Sequence, residues 1–261
     1  MKRLVKDLFE NRHALQIQFK VNAKTTVSTT KLGTLWWILD PLFLMVIYYF
    51  VFKVIFNRGG PNYHLSILCG LVTYQFFTRT VSACTRALAD NEGLIKQASL
   101  PMILYLVVPP LVQALFCMIG YGIIMIWNYP ALGLHTLAII FPVLLAGLLT
   151  FTLGLYLSIF EVYIKDTGKL IGYILRFGLW LCPILYSVDM IYDNPSIPQY
   201  VKILYSLNPM VHVITAVKDI LFFGKMFDPI PLLWVFLGIL LFMQLGLLFF
   251  RKASPYIPKL L

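Results

Sequence analysis

Six stretches of this chain are apolar over at least 18 residues, and stretches of about this length cross a lipid bilayer as helices. The composition agrees, because 60% of the residues are hydrophobic and only 12% are charged, against about 25% charged in soluble domains. The sequence therefore predicts an all-α integral membrane protein with six transmembrane helices. The predicted spans are residues 32–56, 65–89, 102–127, 137–160, 170–187 and 230–250.

Positive charge is distributed unevenly among the segments that join these spans. If the N-terminus is cytoplasmic, the cytoplasmic segments contain 13 Lys and Arg residues and the external segments contain 4. Because basic residues concentrate on the cytoplasmic side of membrane proteins, both termini are predicted to be cytoplasmic. Seven basic residues precede the first span. The net charge of +10 therefore reflects membrane orientation, and no nucleic-acid partner is expected.

Residues 1–31 are polar and basic, but they carry apolar side chains at helical spacing. These side chains are Leu4, Val5, Leu8, Phe9 and Leu15. The pattern is typical of an amphipathic helix that lies on the inner surface of the membrane, with an ordinary solvated helix as the alternative.

A polar segment, residues 90–101, separates the second and third spans on the predicted cytoplasmic side. It can form a short helix in which Asp90 or Asn91 is the N-cap, Glu92 lies in the first turn and Pro101 prevents continuation. The residues alone leave two interpretations open. The segment is either a solvated loop or a helix that a soluble partner binds.

The second span carries a polar stripe at spacings that place it on one helix face. Its members are Gln75, Thr78, Arg79, Ser82, Thr85 and Arg86. Because lipid does not tolerate two guanidinium groups, the stripe must face protein or water. It forms either a water-accessible path or a static polar seam in which Arg79 pairs with Asp40 of the first span. The fifth span repeats the pattern near one face, with Lys169, Tyr173, Arg176 and Trp180.

The longest external segment, residues 188–229, predicts two short helices. Asn208 is an N-cap followed by Pro209 at the first helical position, and Gly224 is a stop signal. The second helix has an apolar stripe, with Lys218 and Asp219 predicted to lie off it. The stripe comprises Val211, Ile214, Val217 and Leu221. The two helices either dip into the outer leaflet or cap the bundle.

The motifs of common catalytic and nucleotide-binding sites are absent from the sequence. Without G-x-x-x-x-G-K-[ST] the chain has no phosphate-binding loop for ATP, and G-x-S-x-G and H-E-x-x-H are also missing. The sequence therefore predicts no catalytic residues and no metal site, and the cysteines are expected to be buried apolar side chains. The cysteines are Cys69, Cys84, Cys117 and Cys182.

A series of short motifs, taken in order and spacing, is similar to one family of membrane proteins. The motifs are Leu32-Gly33-Thr34-Leu35-Trp36 with Pro41, Asn91-x-Gly93-Leu94-Ile95-Lys96 followed by Pro101, Lys165-Asp166, Cys182-Pro183-Ile184-Leu185-Tyr186, Asn208-Pro209, and Phe250-Arg251 with Pro255. Over nearly its whole length the chain resembles the membrane-spanning subunits of ABC-type polysaccharide exporters. These subunits move O-antigen, capsular or teichoic-acid polymers across the bacterial inner membrane.

The resemblance implies a subunit that forms the path as a dimer of this chain and is powered by two separate ABC ATP-binding subunits. ATP and magnesium would be bound by those partners, with no cofactor on this chain, which is therefore not an enzyme. Residues 1–31 would form a cytoplasmic interface region, 32–250 the transmembrane domain and 251–261 a cytoplasmic tail. Residues 188–229 would hold the periplasmic gate helices, with Asn208 and Pro209 in the gate. Residues 90–101 would be the coupling helix, which contacts the ATPase through Asn91, Glu92, Gly93, Leu94, Ile95 and Lys96.

The implied substrate is a lipid-linked polysaccharide resembling O-antigen, and the polar stripe of the second span would line its path. An anionic lipid-diphosphate headgroup suits the bidentate guanidinium group. It would meet Arg86 first and Arg79 deeper in the path. Two alternatives stay open: an ABC permease of the same fold that exports a drug or another lipid, and a membrane enzyme of envelope synthesis.

Overall fold

The computed structural model of this chain describes residues 2–28, 33–97, 100–128 and 133–261, and within them all regular structure is helical. The all-α prediction is thus confirmed for this part of the chain. Four of the described helices are long and apolar enough to cross a membrane, and they match the predicted first, third, fourth and sixth spans. They are α3 (Trp36–Tyr49, continued by the π-helical turns Phe50–Ile55), α6 (Ile103–Trp127), α7 (Ile140–Tyr163, preceded by the 3-10 helix Leu134–Ile139) and α12 (Pro229–Ala253).

The predicted second span is helix α4 (Tyr63–Arg86), which lies at the centre of the bundle. It packs against α3, α6 and α7 and against two helices described below. Most of its side chains are buried, including Ile67, Leu71 and Val81. Because protein surrounds α4 on most sides, the helix can carry polar residues that an isolated span in lipid does not tolerate.

The predicted fifth span is not one continuous helix. Helix α8 (Thr167–Trp180) has 14 residues, about 21 Å at 1.5 Å per residue, which is short of a hydrocarbon core about 30 Å thick. The chain then turns irregularly through residues 181–188. Pro183, which lacks an amide donor and clashes with a preceding turn, is incompatible with continuing the helix. The prediction of a helical span over 170–187 therefore fails after Trp180.

The N-terminal segment forms two helices, α1 (Lys2–Glu10) and α2 (Arg12–Ser28). Helix α2 packs along α6, where Leu15 and Phe19 contact a small apolar cluster around Val112. Phe9, by contrast, is 71% exposed. The prediction of helix is confirmed, and part of its apolar face is covered by the bundle itself.

Three helices fill the predicted external segment: α9 (Asp189–Tyr192), α10 (Gln199–Ser206) and α11 (Pro209–Leu221). The predicted N-cap is confirmed, since the Asn208 side chain accepts a hydrogen bond from the Met210 amide at 3.0 Å. The helix ends at Leu221, and Gly224 follows with a left-handed φ of 63°.

Helix α11 packs against α4, α7 and α12, so the apolar stripe predicted from the sequence is buried within the bundle. Helix α11 is therefore packed into the bundle and does not lie on its surface. Lys218 was predicted to lie off the stripe, but its exposure is only 7%. It is buried nonetheless, because neighbouring helices cover more of α11 than its apolar stripe alone.

Candidate functional site

A cleft of about 510 Å³ opens between the end of α4 and residues 168–176 of α8. This volume is within the range of small-molecule sites, about 300–1,000 Å³. The lining residues are Ser82, Ala83 and Arg86 from α4, and Gly168, Lys169, Gly172, Tyr173 and Arg176 from α8.

The cleft is basic, because three of its lining side chains are cations and none is an acid. The Lys169 ammonium is 2.9 Å from the neighbouring Asp166 carboxylate, in an exposed pair. Within the described residues, neither Arg86 nor Arg176 has a carboxylate within 4.0 Å. The Arg176 guanidinium lies over the Tyr173 ring, 5.6 Å from its centroid. Two guanidinium groups are thus left free to bind an anion bidentately.

Gly168 forms the tight corner of the cleft, where α8 begins beside α4. Its amide donates a hydrogen bond to the Glu161 carboxylate at 2.6 Å. A side chain at this position would meet the Arg86 Nε and both Glu161 carboxylate oxygens at 3.3 Å. Gly172, one turn later, has nothing within 4 Å of the position of a Cβ atom and leaves the floor of the cleft open.

The structure divides the polar stripe predicted on α4. Ser82 and Arg86 line the cleft, and Gln75 and Thr78 are half-buried farther along the helix. Thr85 has no exposed surface and donates its hydroxyl to the Val81 carbonyl at 2.8 Å. The prediction that Thr85 shares the open face therefore differs from the structure.

Arg79 is paired with a residue of the first span. This agrees with the static polar seam, one of the two alternatives that the sequence left open. Its guanidinium donates to the Asp40 carboxylate at 2.6 Å. It also lies 4.1 Å from the centroid of the Trp37 ring, which stacks on Phe116 of α6 at 4.3 Å. Arg79 thus joins α3 to α4, while Arg86 and Ser82 remain open to the cleft.

The α8 half of the cleft was not assigned to the site from the sequence. A signal was present, since Lys169, Tyr173 and Arg176 recur near one helix face. The spacing does not show which helix this face meets, and in the structure it faces α4 across the cleft. Sequence reasoning therefore found two of the lining residues on α4 and left out the five on α8.

The predicted coupling segment contains helix α5 (Glu92–Gln97). Glu92 and Lys96 form an exposed ion pair at 2.6 Å, and Gly93 is also exposed. The Asn91 side-chain amide donates a hydrogen bond to the Ala87 carbonyl at 2.8 Å. The side chain therefore binds a carbonyl group at the end of α4 instead of capping α5. Residues 98 and 99 lie outside the described residues.

Two adjacent apolar residues of α5 point in different directions. Leu94 is 50% exposed, whereas Ile95 is 8% exposed and packs in an apolar cluster. That cluster also contains Ile257, the first residue of the C-terminal helix α13 (Ile257–Leu260), which contacts α5. Helix α5 is therefore supported from inside by the chain terminus, with Leu94 presented outward.

The four cysteines are all buried and unpaired, which confirms the prediction made for them. No group of three or more His, Cys, Asp or Glu side chains suited to a metal ion occurs among the residues that the structure describes.

Comparisons with known proteins agree on one family. The sequence profile described as ABC-2 type transporter matches residues 13–222. The chain is 26% identical to the O-antigen export system permease protein RfbA of Myxococcus xanthus, over 89% of each chain. It is 25% identical to a protein of the same name from Klebsiella pneumoniae, over 88% of each chain. It is 21% identical to the polysialic acid transport protein KpsM of Escherichia coli, over 88% of this chain and 90% of that protein.

Proposed function

Because this chain belongs to the ABC-2 type transporter family, we propose that it is the membrane-spanning subunit of an ATP-driven exporter of a lipid-linked polysaccharide across the bacterial inner membrane. The names of the similar proteins, which refer to O-antigen export and polysialic acid transport, support polysaccharide as the cargo. The observation that carries the proposal is the basic cleft, whose free guanidinium groups suit a phosphorylated headgroup.

The cleft refines which residues meet the substrate first. A lipid diphosphate carries two adjacent anionic groups, and Arg86 and Arg176 offer planar donor pairs from the two sides of the cleft. Lys169 adds a third positive charge at the edge. Arg79 has a smaller role in headgroup binding in this proposal, because Asp40 already neutralises it. The polymer itself would follow the headgroup through a path completed by a second copy of this chain.

The proposed topology keeps six membrane crossings. Helices α3, α6, α7 and α12 are four of them, central helix α4 is another, and α8 together with the turn at 181–188 is the sixth. Both termini are then cytoplasmic, and the cleft opens near the cytoplasmic side. In this orientation residues 1–31 form the interface region and 251–261 the tail, on either side of the 32–250 transmembrane domain.

Energy would come from two ABC ATP-binding subunits, which bind ATP and magnesium. Helix α5 would be their docking site, since Leu94 projects from a helix that the rest of the chain supports. At the other side, Asn208 and Pro209 begin the helix α11 that closes the path. The purified chain without its partners is expected to hydrolyse no ATP.

The test is to remove the gene and identify the lipid-linked molecule that accumulates in the cytoplasmic leaflet. We expect a glycan on a diphosphate lipid, with surface polysaccharide lost and then restored by the wild-type chain. The double variant Arg86→Gln/Arg176→Gln should reach the membrane but fail to restore export. Arg58→Gln/Arg251→Gln is the matched control, because it removes two exposed arginines outside the cleft.

Unchanged surface polysaccharide in cells that lack the chain would contradict the proposal. Accumulation of a lipid without a glycan would instead favour the alternative of a permease for another lipid.

A further inference from the structure

The turn that follows α8 is irregular, and its middle part, residues 182–185, is buried. Cys182, Ile184 and Leu185 are at most 7% exposed, although this part of the backbone is irregular. Buried carbonyl groups are costly unless a donor reaches them, above all in a protein surrounded by lipid. The side chains that donate hydrogen bonds to its carbonyl groups therefore show which other elements hold the turn in place.

Three side chains from elsewhere in the bundle donate to carbonyl groups of this turn. The Tyr63 hydroxyl at the beginning of α4 donates to Leu185 at 2.6 Å. Lys218 of α11 donates to Ile184 at 3.2 Å, and the Asn208 amide donates to Leu181 at 3.4 Å. We name these three donors, Tyr63, Lys218 and Asn208, the carbonyl clamp.

Two members of the carbonyl clamp belong to the helix that closes the proposed path. Asn208 is the N-cap of α11, and Lys218 lies in its last turn. The clamp thus holds both ends of α11 to the end of α8. Helix α4 also touches the turn directly, because a Cβ atom at Gly70 would be 3.1 Å from the Ile184 Cα.

Lys218 is the unusual member of the clamp. It is 7% exposed, and among the described residues no carboxylate lies within 4.0 Å of its ammonium group. The acid next to it, Asp219, pairs instead with Lys225 at 3.1 Å. A buried cation costs more to desolvate than a neutral donor would, so Lys218 reaches the Ile184 carbonyl from an unfavourable setting.

Helix α8 connects the carbonyl clamp to the basic cleft. Lys169 and Arg176 of the cleft lie on α8, and the clamped turn begins directly after this helix ends. Between them, the Tyr74 hydroxyl donates to the Leu175 carbonyl at 2.5 Å and holds α8 against α4. Helix α8 is thus the physical connection between the cleft and the turn that the clamp holds.

We propose that Lys218 is a positioning residue that makes α11 move together with the end of α8. A ligand bound in the basic cleft then changes the position of α11 at the opposite end of the path. The transmission rests on the proposed function of the cleft, whereas the clamp itself does not. Removal of the Lys218 ammonium separates α11 from the turn and loosens the closed state.

Cys182 provides a native reporter of the clamp. It is 2% exposed within the turn, and its Sγ lies 3.7 Å from the Asn208 amide nitrogen. In a full-length chain with the other three cysteines replaced by Ala, the rate of Cys182 labelling by a water-soluble maleimide measures how often the turn opens. The chain is assembled with its ATP-binding partner in lipid vesicles.

We expect Lys218→Met to increase the labelling rate at rest by about tenfold or more, the effect of losing one hydrogen bond from a charged donor. Lys218→Arg should restore slow labelling. Lys252→Met is the control, because it removes an exposed lysine at the end of α12, away from the clamp. Tyr63→Phe removes another clamp donor with little change of volume, and it tests the clamp independently if Lys218→Met does not assemble.

Transmission is tested in the same vesicles with inorganic diphosphate as the probe. In the parent chain, diphosphate should change the labelling rate of Cys182, and both Arg86→Gln and Lys218→Met should abolish that response. Labelling at rest within twofold of the parent in Lys218→Met and Tyr63→Phe would overturn the clamp. Faster labelling in these variants without any diphosphate response in the parent would leave the clamp standing and overturn the transmission. The cleft as a headgroup site is tested separately, by the export of the Arg86→Gln/Arg176→Gln variant.

Discussion

The Arg79 guanidinium on α4 lies 2.6 Å from the Asp40 carboxylate on α3, and the ring of Trp37 covers it at 4.1 Å. Both charged side chains remain partly accessible, at 26% and 43% exposure. The pair fastens the central helix to the first span and closes off this part of the polar stripe. Two turns later on α4, Arg86 has no such partner and faces the basic cleft.

The Arg79–Asp40 pair should show strong coupling in a double-mutant cycle. Asp40→Asn leaves a guanidinium group without its counter-charge in a membrane helix, and we expect a loss of about 1–2 kcal/mol for this partly exposed pair. Asp40→Asn/Arg79→Gln should recover much of that loss. The measurement is thermal stability in detergent. Glu10→Gln, which breaks the exposed Lys6–Glu10 pair, is the control with little expected effect. If the stability losses of the two single variants simply add in the double variant, the prediction is contradicted.

The contact between α4 and α7 should not tolerate a side chain at Gly154. A Cβ atom there would be 2.7 Å from the Cys84 Cβ, so the two helices must separate. We expect Gly154→Ala to cost about 1–3 kcal/mol through overpacking. Gly147→Ala on the same helix has nothing within 4 Å and should gain up to about 1 kcal/mol from helix propensity. Adding Cys84→Gly should relieve the clash, and equal melting temperatures for the two alanine variants would refute the argument.

Thiol accessibility should follow the division of the polar stripe into open and closed positions. In a background without native cysteines, Ser82→Cys should react fastest with a water-soluble reagent, because Ser82 lines the cleft. Gln75→Cys and Thr78→Cys should react more slowly, and Thr85→Cys should resist labelling because Thr85 is fully buried. The rates are measured with and without ATP and the partner. Equal reactivity at Ser82 and Thr85 would show that the open cleft does not exist in the membrane.

Neighbouring residues of α5 should have separable effects. Leu94→Asp changes an exposed side chain, so it should abolish capture of the ATP-binding partner while the melting temperature stays unchanged. Ile95→Ala removes buried apolar atoms and should cost about 2 kcal/mol or more. Co-purification measures the first effect and thermal unfolding the second. If Leu94→Asp binds the partner normally, docking must occur elsewhere.

Local patterns were sufficient to predict the features that depend on neighbours in sequence. Apolar length predicted the four described helices that are long and apolar enough to cross a membrane, because crossing a bilayer requires about 20 consecutive apolar residues. The side-chain oxygen of Asn208 and the fixed backbone of Pro209 predicted where α11 begins, because the first amide groups of a helix need a hydrogen-bond acceptor. The helical period placed Ser82 and Arg86 on one face of α4.

Contacts between distant parts of the chain decided the rest. The spacing on α8 did not reveal that Lys169 and Arg176 face α4, since periodicity identifies a face and not its partner. The burial of Lys218 could likewise not be predicted from the sequence, because its hydrogen-bond partner is a carbonyl group 34 residues away. Helix α8 could end at Trp180 because Tyr63, Asn208 and Lys218 satisfy the turn that follows. The sequence thus determined which segments are helical and apolar, whereas only tertiary packing determined which polar groups found partners and which remained open for a ligand.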